Sequence, residues 1–147
     1  MVGEPLLLDT HVWIWYEEDR TQELSAVCVE ELDRAAEAGL LRVSVFSAWE
    51  VAMLDAKGRI ALSQECGEWV SLALAAPGMQ LAPFDPAVAV ASTRLPGGFR
   101  SDPVDQILIA TSRVLGWPLV TRDRRILEYA RRGHLRTLDA SARRSKR

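Results

Sequence analysis

Leu6-Leu7-Leu8-Asp9-Thr10-His11-Val12-Trp13 sets an uninterrupted apolar triplet directly before an acid and a threonine. A triplet with no polar alternation fits a strand buried on both faces, and Asp-Thr is a good strand-to-helix turn. The segment therefore reads as a short strand ending at Asp9, with His11 already turning into a helix. Four further strand candidates follow the same logic: Leu41–Phe46, Met79–Ala82, Leu119-Val120 and Leu135–Leu138. Helical patterns fill the gaps. One runs from Gln22 to Ala38 and is stopped by Gly39; another covers Gln64–Ala75 before Pro77-Gly78. Ser47-Ala48-Trp49-Glu50 has the S-x-x-E form of a capping box, which predicts a helix start there and an end at Lys57-Gly58. Further helices follow Asp85-Pro86 and run from Asp102-Pro103 to near Gly116, and Arg124–Arg132 is closed by Gly133. Leu95-Pro96-Gly97-Gly98 is the clearest loop. Strands that alternate with helices and are apolar on both faces predict an α/β fold, a three-layer α/β/α sandwich around a central parallel sheet.

The 147 residues suit one domain with one substantial core, expected over 1–139 and followed by a basic tail at 140–147. Hydrophobic residues make up 48% and charged residues 26%, which excludes a disordered chain. No apolar run approaches the roughly 20 residues of a membrane span, and the N-terminus lacks a secretory pattern. Cys28 and Cys66 are far apart and have no histidines at zinc spacing, so both are expected on helices as small core residues in a reducing compartment. A cytoplasmic protein is expected. The net charge of −2 argues by itself against a nucleic-acid binder. Its distribution argues otherwise: residues 1–93 carry a balance of −10 and residues 94–147 one of +8. A basic half can attract a polyanion, although unevenly charged helix surfaces give the same count.

Asp9 directly follows a predicted strand, Asp123 follows Leu119-Val120-Thr121 at another strand's end, Glu50 lies shortly past the second strand, and Asp105 sits in the first turn of its helix. Open parallel sheets place their functional crevice outside the carboxyl ends of the strands, so the four acids can converge there. Uncompensated carboxylates repel one another, and a hard cation such as Mg²⁺, with Mn²⁺ able to substitute, relieves that repulsion. The chemistry such a site serves is phosphodiester hydrolysis. Taken singly, each acid has an ordinary structural reading. Asp102 and Asp123 suit N-caps, Glu50 suits the capping box, and Asp9 suits its turn.

The wording around the acids narrows the choice. The stretch from Leu6 to Trp13 resembles the first motif of the PIN-domain ribonucleases, particularly the VapC-like toxins of bacterial toxin–antitoxin pairs. Ser47-Ala48-Trp49-Glu50-Val51-Ala52-Met53 with Lys57-Gly58-Arg59-Ile60 resembles the second motif. Asp102-Pro103-Val104-Asp105-Gln106-Ile107 and Leu119-Val120-Thr121-Arg122-Asp123 resemble the third and fourth. The resemblance covers roughly residues 6–130 with the motifs in order. It implies a Mg²⁺-dependent endoribonuclease whose acidic quartet is Asp9, Glu50, Asp105 and Asp123, with Thr121 and Asp102 beside the metal. It also implies a homodimer and a small cognate antitoxin. The antitoxin is expected to lie in a groove near Trp13, Trp15 and Trp49 and to point an Arg or Lys at the cluster. Two positions depart from the pattern: Gln106 stands where Arg is usual, and Arg100 where His is common.

Arg122, Arg124 and Arg125 flank Asp123 and, with Arg100, are the candidates for contacting RNA phosphates; a solvated helix face is the plainer reading. His11 invites a general-base role that a metal-activated water does not need. The five tryptophans fit core or interface packing better than base stacking. A helix-capped binding module without catalysis and a phosphatase-like α/β hydrolase stay open as rivals. The second is disfavoured by His at position 11, where a dehalogenase-type phosphatase would carry Asp.

Overall fold

In the computed structural model, which describes residues 3–141, five three-residue strands form one parallel sheet in the order β3-β2-β1-β4-β5. They are β1 (Leu6–Leu8), β2 (Leu41–Val43), β3 (Met79–Leu81), β4 (Leu119–Thr121) and β5 (Thr137–Asp139). Seven helices connect them: α1 (Thr10–Glu17), α2 (Ala26–Ala38), α3 (Val45–Ala56), α4 (Cys66–Leu74), α5 (Pro86–Ser92), α6 (Pro103–Leu115) and α7 (Arg124–Arg131). Central β1 pairs with β2 through Leu6↔Leu41 and with β4 through Leu7↔Leu119.

Alternation along the strands builds two cores. Leu8 and Val120 face a core completed by Val12, Cys28, Leu32 and Val51; Leu7 and Leu119 face another, completed by Val88, Leu108, Ile109 and Ile126. All four strand residues are fully buried. A sheet that buries both faces needs a helical layer on each, and the result is the expected α/β/α sandwich. Cys28 is buried on α2, where desolvation pushes its thiol up to about 11, and Cys66 opens α4 partly buried; both are free. No helix is long and apolar enough to cross a membrane among the described residues.

Three local expectations are corrected. The pattern from Gln22 is broken by a turn of 3₁₀ helix at Thr21–Glu23, and α2 begins only after Ser25, whose hydroxyl accepts from Cys28 N–H at 3.0 Å. The second strand stops at Val43 rather than Phe46. Ser44, not Ser47, caps α3, accepting from Phe46 N–H at 3.0 Å. Val45 and Phe46 look like strand residues because they are β-branched and aromatic, yet Phe46 is drawn into an edge-on contact with Phe84, ring centroids 4.6 Å apart. The Ser47/Glu50 capping box is therefore absent. The last strand is displaced to Thr137–Asp139; after it, Ala140 is fully buried and Ser141 bridges to Leu24. Residues 142–147 of the expected tail lie outside the described residues.

Candidate active site

The strand order reverses direction of growth at β1, since β2 and β3 extend one way and β4 and β5 the other. A crevice opens at such a switch point, outside the carboxyl ends of β1 and β4. Asp9 follows β1, with its N–H continuing the ladder to Val120 O at 2.9 Å. Its Oδ1 accepts from Thr10 N–H at 2.8 Å, capping α1, and its Oδ2 accepts from the Thr121 hydroxyl at 2.7 Å. Thr121 is fully buried at the end of β4, and its oxygen accepts from Asp123 N–H at 3.0 Å. One threonine thus ties together the two strand-end acids.

Asp123 caps α7, and both of its cap bonds, from Arg125 and Ile126 N–H, fall on Oδ1. Asp102 caps α6 by accepting from Asp105 N–H at 3.0 Å. The plain reading of these acids as caps is thus true of Asp9, Asp102 and Asp123. It leaves Oδ2 of Asp123 outside the cap, and it explains neither Asp105 nor Glu50. Asp105, partly buried, accepts from the Ser101 hydroxyl at 2.7 Å on Oδ2. Glu50 lies in the second turn of α3, near a buried hydroxyl pair, Thr10 and Ser47, with oxygens 2.9 Å apart.

Electrostatics shows which acids the fold brings together. Burial raises the carboxyl of Asp9 above its ordinary range, and Asp123 adds repulsion against the hydrogen bonds from Thr121 and Thr10. Burial likewise raises Glu50, with Asp9 and Asp102 adding to it. Asp105 is pushed up to about 7, first by burial and then by Asp9, Asp102 and Asp123, with Ser101 opposing. Asp9, Glu50, Asp102, Asp105 and Asp123 therefore occupy one neighbourhood, contributed by four separate segments. Among the described residues no group of three His, Cys, Asp or Glu side chains is set to hold an ion by itself. Mg²⁺ commonly takes only one or two carboxylates and keeps several waters, so this open set of hard oxygen donors fits a partly hydrated ion better than a caged one.

Beside Asp123 a cleft is lined by Phe99, Arg122, Arg124, Arg125 and Arg131 together with the acids Glu128 and Asp139; Arg131 pairs with Glu128 and Arg122 with Glu23. Arg122 donates to Glu23 O at 2.9 Å and lies 4.9 Å above the Trp15 ring; Arg125 donates to Arg100 O and lies 5.1 Å from the Phe99 ring. Arg124 and Arg100 are exposed. His11 is exposed and tilted against Trp15.

The tryptophan groove needs correction. Trp13 is fully buried, edge-on to Trp69 at 5.1 Å, and cannot line a surface. Trp15 is partly covered by Arg122, while Trp49 is 58% exposed. Sequence reasoning does not mark Ser101, Thr10 or Ser47 as part of the site. Ser101 carries a usable signal: a hydroxyl four residues ahead of Asp105 and just before a capping Asp-Pro pair.

Comparison with known proteins agrees with this architecture. Over 124 residues the chain is 35% identical to ribonuclease VapC22 of Mycobacterium tuberculosis, an alignment covering 84% of this chain and 91% of that protein. Its fold matches the crystal structure of VapBC2 from Rickettsia felis bound to a promoter DNA fragment, with a TM-score of 0.67 and 11% identity over 92% of this chain and 98% of that one. DNA-bound VapBC from Salmonella typhimurium matches with a TM-score of 0.64 and 15% identity, over 93% and 98%. The PIN domain pattern matches residues 6–132, and with the strand-end acids and sheet order described above, the chain belongs to the PIN-domain family.

Proposed function

We propose that this protein is a divalent-cation-dependent endoribonuclease and the toxin of a toxin–antitoxin pair. The observation that carries the reading is the pair of strand-end acids, Asp9 and Asp123, joined through Thr121 by hydrogen bonds of 2.7 and 3.0 Å at the switch point of the sheet, with Asp9 adding to the raised carboxyls of both Glu50 and Asp105. The 35% identity to a ribonuclease supports it. Asp9, Asp105, Asp123 and Glu50 would hold Mg²⁺ or Mn²⁺, with Asp102 and Thr121 beside them. When bound, the cation supplies Lewis acidity and lowers the pKa of water so that it can attack a phosphodiester.

The chain's own groups prepare the site. Thr121 and Thr10 fix the Asp9 carboxylate by hydrogen bonds to both oxygens. The α7 N-terminus takes one oxygen of Asp123, so that side chain cannot swing away. The cleft beside Asp123 would offer positive charge to an RNA backbone through exposed Arg124 and through Arg125 and Arg122, which are braced on aromatic rings, Arg122 also pairing with Glu23; Arg100 is exposed outside the cleft lining. Such bracing reduces the entropy lost when a guanidinium meets a phosphate. A homodimer belongs to the reading. Val45 (46% exposed), Trp49 and Phe84 (41%) present apolar surface beside a small cleft walled by Phe46, Pro103, Val104 and Ile107. The cognate antitoxin would offer a cation, Arg for preference, to the acidic cluster.

The test is to free the purified protein from any co-purified partner, incubate it with total RNA with and without Mg²⁺, and map the cleavage ends. Asp9→Asn keeps the cap acceptor but removes a charge, so cleavage should fall by at least about a hundredfold while the fold persists. Undiminished cleavage by that variant would remove Asp9 from the site. Thermal melting in EDTA and in Mg²⁺ separates the rival cap-only reading. A cation bound at 100 times its dissociation constant adds about 2.7 kcal/mol, and a protein whose acids only cap helices gains nothing.

A further inference from the structure

Gln106 is one of the two positions where the chain departs from the family pattern, and its side chain turns inward. Its amide oxygen accepts from Ser101 N–H at 3.0 Å, and its amide nitrogen donates to Ser92 O at 2.8 Å. Neither end is interchangeable, because an N–H can only donate and a carbonyl can only accept. Glutamine therefore clips the loop before α6 to the C-terminal end of α5. Arginine at 106 has no acceptor for Ser101 N–H, and glutamate has no donor for Ser92 O. The clipped residue, Ser101, is the one whose hydroxyl donates to Asp105 Oδ2 at 2.7 Å. Asp105 in turn has its N–H held by Asp102 Oδ1 at 3.0 Å, so backbone and side chain are both restrained.

We infer that Gln106 and Ser101 are positioning residues for the cation site: Gln106 holds the loop so that the Ser101 hydroxyl engages one oxygen of Asp105 and leaves the other available for the ion. The inference rests on the metal-site reading above. It extends that reading to two residues that touch neither substrate nor ion, and it gives the Arg-to-Gln departure a physical role. A carboxylate oriented by an outer hydrogen bond loses less freedom on ligating a metal, and removing such partners typically weakens metal binding roughly ten- to a hundredfold.

The experiment titrates Mn²⁺ into the full chain and follows the electron paramagnetic resonance signal of the free ion, a readout that requires no RNA cleavage. Ser101→Ala should weaken Mn²⁺ binding about tenfold, and Ser101→Thr, which keeps the hydroxyl, should bind within about twofold of wild type. Gln106→Ala and Gln106→Glu should weaken binding in the same direction. Because Gln106 acts through Ser101, the Ser101→Ala/Gln106→Ala double variant should bind no more weakly than Ser101→Ala alone. On RNA, the single variants should lower kcat with KM little changed. Wild-type affinity in Ser101→Ala overturns the inference and leaves the metal site standing. Additive losses in the double variant remove Gln106 from the role. Failure of the wild-type chain itself to bind Mn²⁺ brings down the metal-site reading and this inference with it.

Discussion

Asp105 combines an acid's usual solubility with an environment that resists its charge. In an unfolded chain an aspartate titrates near 3.9. In the fold, burial first and the surrounding acids second push Asp105 up to about 7. The folded chain therefore holds this proton more tightly than the unfolded one. The stability that follows is fully present below the unfolded value and is lost as pH rises through about 7. Asp105→Asn cannot ionise and keeps an acceptor for Ser101. In EDTA its melting temperature should gain on wild type as pH rises from 4 to 7, and the gap should level off above that. Glu17, which burial also pushes up to about 7, leaves a slope of its own, so the difference between the two proteins is the informative quantity. A gap independent of pH would mean that Asp105 is not the buried, crowded acid described. Added Mg²⁺ should close the gap by stabilising wild type alone.

At the scale of elements, the turn between α4 and β3 is held by a glycine whose place is sterically exclusive. Gly78 has φ of +81°, and a Cβ there would meet Ala36 O, at the C-terminal end of α2, at 2.2 Å. Its carbonyl accepts from Leu41 N–H at 2.9 Å, so the same residue sets where β2 and β3 lie. Gly39 closes α2 with φ of +77° but has open space around it. Both positions penalise an L side chain by about 1–2 kcal/mol, and only Gly78 adds a backbone collision worth about 1–3 kcal/mol more. Urea melts should show Gly78→Ala losing about 2–5 kcal/mol and Gly39→Ala about 1–2 kcal/mol. Equal losses would contradict the close approach of α2 to this turn.

Across the whole molecule, the charge imbalance takes on a location. The basic half supplies Arg122, Arg124, Arg125 and Arg131 to one cleft beside Asp123, while Asp9 and Glu50 reach the cluster from the acidic half. Glu128 and Asp139 share that cleft, and Arg122 and Arg131 are paired with Glu23 and Glu128, which leaves Arg124 and Arg125 as its cations without an acidic partner among the described residues. If single-stranded RNA follows that cleft, removing one cation that neutralises a phosphate should reduce the slope of log affinity against log salt by about 0.7. Arg124→Ala, measured in the non-cleaving Asp9→Asn background, should show about that reduction with an unchanged melting temperature. An unchanged slope would assign Arg124 to the solvated face of α7.

Residue types and their order are enough to read the α/β/α layering, because a buried parallel strand must be apolar on both faces and Leu6–Leu8 and Leu119-Val120 are. They are also enough to put Asp9 and Asp123 at strand ends, since the apolar runs stop there. The start of α3 is not legible in the same way: Val45 and Phe46 suit a strand locally, and in the fold Ser44 caps the helix at Phe46 N–H while Phe46 packs edge-on against the distant Phe84. The burial of Trp13 is hidden for a similar reason, because it depends on Trp69, 56 positions away. The bracing of Arg122 on Trp15 and the clip from Gln106 to Ser92 and Ser101 join segments whose spacing carries no periodic signal. Periodicity follows from the geometry of one element and is written into neighbouring residues. A side chain's partner is chosen by how whole elements pack, and that choice exists only once the chain has folded.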